Sequence, residues 1–309
     1  MGMIPVIDFS KQDSIKPGIH EWDSTKLGVR QALEEYGCFE ALFDPVVEHR
    51  SPVFRALEEL FDLPLQTKNL CVSDKPFRGY YASPPPTSYE SISADDVHIA
   101  ENVEQLLTTR LWPQGNMSFS KTMVSFAQLV MELEKTIMRM ISESFGVEKY
   151  VDELIDSTNY QLRAMKYEGS NTSEPTSGLV VHHDQNMLTL LYQNEVNGLE
   201  IQNKYGKWMS VKPSPNSIIV IIGESLSVWL NGRLSPPCHR VMMTENKVRY
   251  TIGVFAWTKG GYLVKAPKGL VDDKIPILFK PYDHEEFLKI FSTQLAQEVA
   301  YDVKTYCSI

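Results

Sequence analysis

After about Tyr160 the apolar residues of this chain fall into short runs, each closed by Gly, Pro or Asn. The runs are Met187–Gln193, Leu199–Gln202, Lys207–Val211, Ser217–Ile222, Leu226–Leu230, Arg240–Met243 and Tyr250–Trp257. Short runs of this kind between turn residues read as strands. Many short strands in close succession point to a sandwich or jelly roll. Asn231-Gly232 reads as a tight turn within the series.

The first half has a different period. Ile4–Phe9 reads as a short strand. Asp23–Tyr36 places Val29, Ala32, Leu33 and Tyr36 on one helical face, with Gly37 as its stop. Val53, Leu57, Leu60 and Phe61 repeat at helical spacing before Pro64. The longest helix is expected near Lys121–Phe145, on a stripe of Met123, Phe126, Ala127, Val130, Leu133, Ile137 and Met140 closed by Gly146. Pro76–Ser91, rich in Pro, Ser and Tyr, reads as a long loop of the kind that often binds ligands. A last helix is expected after Asp283 as N-cap, carrying Phe287, Leu288 and Phe291. The chain therefore divides into a mostly helical region, 1–159, packed on a β-core, 160–265, with a C-terminal extension, 266–309. The fold class expected is mainly β with helices.

Length and composition suit one large domain: 309 residues, 43% of them hydrophobic. The net charge of −9 and pI near 5.4 argue against a nucleic-acid partner or an anionic membrane. Cys38, Cys71, Cys238 and Cys307 form no C-x-x-C pair and read as reduced thiols. No signal peptide or apolar span is visible, so a cytoplasmic protein is expected, and the lack of an obvious interface stripe suggests a monomer. Triplets of the N-x-S/T type begin at Asn116 and Asn171 and carry little weight without an export signal.

Chemistry concentrates in two places. In Val181-His182-His183-Asp184, residues two apart on a strand share a face, so His182 and Asp184 are able to approach one ion while His183 turns away. His239, beside a later run, supplies a third ligand. Two histidines and one carboxylate form the facial triad of non-haem iron(II) oxygenases, which leaves open positions for other ligands. An H-x-D pair alone is a weak signal. What strengthens it is Arg249-Tyr250-Thr251, placed to lie across a hairpin or on an adjoining strand from His239. A guanidinium fork with a hydroxyl two residues on suits the far carboxylate of a dicarboxylic keto acid.

With these residues assembled, the chain resembles the plant 2-oxoglutarate/Fe(II)-dependent dioxygenases over nearly its whole length. The resemblance rests on Ile4-Pro5-Val6-Ile7-Asp8-Phe9, Tyr36-Gly37-Cys38-Phe39, Phe61-Asp62-Leu63-Pro64 with Lys68, and Arg78-Gly79-Tyr80. It continues through Leu111-Trp112-Pro113, His182-His183-Asp184, and Asn231-Gly232-Arg233 leading to His239-Arg240-Val241. Leu190-Leu191-Tyr192-Gln193-Asn194, Gly198-Leu199-Glu200, Leu278-Phe279-Lys280-Pro281 and Lys304-Thr305-Tyr306-Cys307 are most similar to the AOP-type clade. The resemblance implies a double-stranded β-helix (jelly-roll) core, iron on His182, Asp184 and His239, and 2-oxoglutarate on Arg249 and Thr251. It also implies Tyr167 near that co-substrate, O2 as oxidant, and ascorbate as reductant. There are departures. His183 stands where relatives carry Thr or Ser, and Thr251 where they carry Ser. Met165-Lys166-Tyr167-Glu168 replaces an Asn-Tyr-x-Pro segment, and Ala256-Trp257-Thr258 lacks a usual Pro.

The expected reaction is oxidation, by default hydroxylation, of a C–H bond in a small specialised metabolite or hormone, as 2-oxoglutarate becomes succinate and CO2. Two other readings use the same residues: a jelly-roll protein that binds a small molecule without turnover, and a zinc hydrolase on the same ligands. A hydrolase has no evident need of Arg249 and Thr251. Substrate-pocket walls are expected from Phe77, Tyr80, Tyr81, Trp257 and Phe291.

Overall fold

Short apolar and alternating runs build two main sheets beside a small two-stranded one, and the computed structural model describes residues 3–11, 16–84, 89–170 and 174–309. The Asn171 triplet and 85–88 of the Pro76–Ser91 segment lie outside the described residues. The strands are β1 (Val6–Asp8), β2 (Cys38–Leu42), β3 (Gly79–Ala82), β4 (Tyr89–Asp95), β5 (Thr158–Tyr167) and β6 (Thr176–His182). They continue as β7 (Leu188–Gln193), β8 (Leu199–Gln202), β9 (Trp208–Ser210), β10 (Ser217–Ile222), β11 (His239–Met243) and β12 (Arg249–Thr258). The larger sheet has eight strands in the order β1-β2-β10-β7-β12-β5-β4-β3, and the smaller has four, β6-β11-β8-β9. Neighbours are antiparallel except β1 and β2.

The sheets face each other. Cys38, Ile219 and Ile221 of the larger sheet share a buried cluster with Leu199, Ile201 and Met209 of the smaller. The outer face of the larger sheet meets the helix Met117–Ser144, where Phe126 lies 6.0 Å from the Tyr192 ring. That helix buries Met123, Phe126, Ala127, Val130, Leu133 and Ile137 at spacings of three and four residues. Asn116 caps it by accepting from the Phe119 amide at 3.0 Å. The helix His20–Tyr36 crosses it, tied by Trp22 Nε1 donating to Glu143 Oε2 at 2.8 Å. The helical half also supplies strands: β1 and β2 extend one edge of the larger sheet, and β3 and β4 the other.

Three local expectations are corrected. Leu226–Leu230 is not a strand; Glu224–Trp229 is a helix. Every residue of that helix is buried, so it shows no polar face, and periodicity alone cannot separate a short buried helix from a strand. Asn231-Gly232 closes that helix instead of joining strands. The Gly232 amide donates to Ser227 O at 2.8 Å and the Asn231 amide to Val228 O at 2.9 Å, a Schellman arrangement with φ of 52° and 78°. The Pro76–Ser91 segment is not wholly loop either, because β3 pairs with β4 from Gly79↔Ser93 to Ala82↔Glu90. Pro and Ser dominate its composition and mask the alternation of the flanking tyrosines.

Candidate metal centre and co-substrate site

His182 ends β6 and His239 begins β11, and the two are paired across the smaller sheet with ring centroids 4.1 Å apart. Asp184 lies just beyond the end of β6, so the expected sharing of a strand face does not hold. Its position is set instead by the turn after the strand. Asp184 O accepts from the Glu224 amide at 2.8 Å, and Met187 O accepts from the Gly223 amide at 3.0 Å. A Cβ at Gly223 would lie 2.0 Å from Asn186 O, so only glycine permits this approach. His183 turns away, with Nε2 3.0 Å from Cys238 Sγ.

The three side chains converge: one ligand atom from each of His182, Asp184 and His239 lies within 4.8 Å of the others. Asp184 Oδ1 is 3.7 Å from Nε2 of both histidines. Each Nδ1 faces a backbone carbonyl, Val180 O at 2.9 Å and Pro237 O at 3.4 Å. A carbonyl only accepts, so the ring protons sit on Nδ1 and the Nε2 lone pairs point inward. Thr189 Oγ1 donates to Asp184 Oδ2 at 2.6 Å, which leaves Oδ1 for the centre. Burial, then the adjacent His239, pushes the His182 imidazole down to about 4, so it is neutral and able to donate at neutral pH. Burial pushes the Asp184 carboxyl up, but His239, His182 and the Thr189 hydrogen bond outweigh it and hold it below its ordinary value. Two imidazoles and a carboxylate are a donor set that suits ferrous iron.

Arg249 is not on a strand adjoining His239, as expected, but on the other sheet. It begins β12, whose inner face turns toward the smaller sheet. A Cβ at Gly198, just before β8, would come within 3.2 Å of Arg249 Cδ, and one at Gly178 in β6 within 2.9 Å of the Tyr167 ring. Arg249 is 0% exposed and meets no carboxylate among the described residues. Nη2 donates to Gln193 Oε1 at 2.9 Å, while Nε and Nη1 have no partner. Thr251 Oγ1, two residues along the same face, is buried and unpartnered too. Tyr167 pairs with Arg249 across β5 and β12, its ring 5.1 Å from the guanidinium carbon. A buried cation with idle donors costs several kcal/mol, on the order of each ion's desolvation, unless an anion completes the site. These residues therefore fit a ligand carboxylate.

Residues 157–257, which span all six of these side chains, match the model of the 2OG-Fe(II) oxygenase superfamily, and residues 4–114 match a non-haem dioxygenase N-terminal model named for morphine synthesis. The Arabidopsis thaliana protein named "Probable 2-oxoglutarate-dependent dioxygenase AOP1.2" is 46% identical over 94% of this chain and 91% of its own length. This chain belongs to the 2-oxoglutarate-dependent dioxygenases. AOP2 of the same plant, also named as such a dioxygenase, is 30% identical over 99% of this chain and 98% of its own length. Among solved structures, the rice dioxygenase for auxin oxidation has a TM-score of 0.81 at 25% identity, covering 99% of this chain and 100% of that one. The Arabidopsis thaliana auxin-oxidation dioxygenase bound to 2-oxoglutarate has a TM-score of 0.79 at 25% identity, covering 89% of this chain and 100% of that one. Ferrous iron and 2-oxoglutarate are thus the cofactors of this dioxygenase, and its fold is the jelly roll.

The residues expected around a substrate separate in this dioxygenase. Alternation along β3 and β4 sets Tyr80 opposite Ile92, on the outer face, where its hydroxyl donates to Glu90 at 2.6 Å. Tyr80 is therefore not on the face that carries Thr251. Tyr81 is 54% exposed and packs on Tyr89. Phe77 has φ of 59°, and its carbonyl accepts from Ser93 Oγ at 3.0 Å and from Gln161 and Arg163 at 2.9 Å. A non-glycine residue is held in that conformation only by such over-determination. The Phe77 ring packs on Phe291 at 5.6 Å, and Trp257 shares the inner face of β12 with Arg249. Thr189, Gln193 and Arg163 were not singled out from the sequence. A lone Thr, Gln or Arg in a strand carries no signal until its cross-strand partners are known.

Proposed function

We propose that this dioxygenase holds Fe(II) on His182 Nε2, Asp184 Oδ1 and His239 Nε2, and 2-oxoglutarate through its far carboxylate on Arg249 and Thr251. The observation that carries the reading is the buried, unpaired Arg249 guanidinium with the idle Thr251 hydroxyl beside it. Gln193 holds Nη2 and so fixes the guanidinium, leaving Nε and Nη1 as free donors for an anion. The Tyr167 ring forms a shelf under that guanidinium. When bound, iron and 2-oxoglutarate supply the oxidising power: one oxygen atom of O2 enters the substrate as a hydroxyl, and the other enters succinate as CO2 leaves.

The substrate in this reading is a small metabolite with an apolar or ring-bearing body, walled by Phe77, Trp257 and Phe291. Support comes from the position of Phe77 against the inner face of β5 and from the similar rice and Arabidopsis thaliana structures, which are dioxygenases for auxin oxidation. We place it in the cytoplasm as a monomer without nucleic-acid or membrane partners, in keeping with its net charge of −9 and four free cysteines. No helix among the described residues is long and apolar enough to cross a membrane. The test is anaerobic addition of Fe(II) and 2-oxoglutarate. A weak visible charge-transfer band should appear and be lost in Asp184→Ala. Its absence with metal demonstrably bound refutes the assignment.

A further inference from the structure

The inner face of β5 carries Asn159, Gln161, Arg163, Met165 and Tyr167 at alternate positions, and Arg163 stands opposite Gly253 of β12, in line with Thr251 and Arg249. Arg78, nearby, is matched by Asp95 at 2.6 Å. Arg163 makes no ion pair among the described residues. One nitrogen donates to Phe77 O, Nε is buried without a partner, and the guanidinium lies 5.6 Å from the Phe255 ring. Gln161, fully buried, directs its amide nitrogen to the same Phe77 carbonyl and leaves Oε1 unpartnered. Trp257 Nε1 is a further idle donor on this surface.

Groups left unsatisfied together on one buried face mark a place that a polar ligand completes. A planar guanidinium above an aromatic ring matches a carboxylate, and a cation that makes no direct ion pair, with only the Asp184 carboxylate of the metal centre in electrostatic reach, favours an anionic ligand. We infer that the primary substrate is a small carboxylic acid whose carboxylate pairs with Arg163, and whose hydroxyl or N–H meets Gln161 Oε1. The inference rests on the iron and 2-oxoglutarate reading above. Arg249 takes the co-substrate's far carboxylate, and Arg163 is the second, separate anion receiver on the same inner face.

The test uses matched pairs: benzoic, phenylacetic, cinnamic and hexanoic acids, each with its primary amide. Binding to the Fe(II)–2-oxoglutarate enzyme under nitrogen, and to metal-free protein, is measured by calorimetry. At least one acid should bind ten-fold or more tightly than its amide. Arg163→Met should erase that preference and Arg163→Lys should keep part of it. The 2-oxoglutarate Kd, read from the visible band, should stay within two-fold in both variants, which also reports that they fold. No acid exceeding its amide, or a preference that survives in Arg163→Met, overturns the inference. Equal loss of 2-oxoglutarate and acid in Arg163→Met also overturns it, by giving Arg163 to the co-substrate. Failure of the underlying reading shows separately, as a missing visible band in the unsubstituted enzyme.

Discussion

Replacing Thr189 by Val removes one atom from the support of the metal centre and leaves the shape of β7 intact. Thr189 Oγ1 donates to Asp184 Oδ2 at 2.6 Å and accepts from Asn186 Nδ2 at 3.0 Å. A hydrogen bond to an ionised group is worth about 1.5–3 kcal/mol. That energy corresponds to roughly 10- to 100-fold in affinity, the same range found for side chains that support metal ligands. The Val variant frees Asp184 to rotate, so metal Kd should rise by about 10- to 100-fold. Asn186 keeps Leu188 O at 2.8 Å, so the apoprotein should lose only about 1 kcal/mol. The assay is anaerobic titration with Fe(II), or with Co(II) followed by its visible absorption, beside thermal melting of the metal-free protein. Thr189→Ser should restore most of the affinity, because the hydroxyl returns without the methyl. Unchanged metal affinity in Thr189→Val, or an equal loss in both variants, would refute the view that this hydroxyl orients the carboxylate.

Arg249→Met removes a buried cation that pairs with no anion among the described residues, so the apoprotein should keep or gain stability. The same variant should lose the thermal stabilisation by 2-oxoglutarate, about 2.7 kcal/mol at a hundred times Kd in the unsubstituted protein; a retained shift would count against the assignment. Glu134, buried in the long helix and accepting from Tyr160 Oη at 2.9 Å, is pushed up to about 7 by burial. Its folded pKa exceeds the ordinary value of 4.5, so the unfolded chain holds fewer protons between pH 4.5 and 7 and stability falls as pH rises through that window. Glu134→Gln should therefore melt several degrees higher at pH 8 and equally at pH 4, and a pH-independent difference would contradict this. Gly37, at φ of 67°, has Pro237 Cδ and Ser235 O 2.7 Å from where a Cβ would stand. Gly37→Ala should cost about 2–4 kcal/mol in urea unfolding, and weaken metal binding because Pro237 precedes His239.

Local chemistry wrote several features directly into the chain. Asp283 caps the helix His284–Ala296 by accepting from the Glu286 amide, Gly37 stops the helix His20–Tyr36 in a left-handed turn, and Met123 to Ile137 mark the buried stripe of the longest. Each depends on residues within about one helical turn, so the order of residues is enough to reveal it. That His182, Asp184 and His239 belong together was legible for a related reason, since few chemistries require that combination of side chains, and the folded chain brings one ligand atom of each within 4.8 Å of the others. Only the assembled sheets decided the rest. They put Arg249 on the sheet opposite His239, held Asp184 by a turn beyond β6, turned Tyr80 to the outer face, and left Arg163 Nε buried without a hydrogen-bond partner. Cross-strand register and sheet packing set these positions, and both join residues far apart in sequence through backbone pairing that side-chain order does not specify.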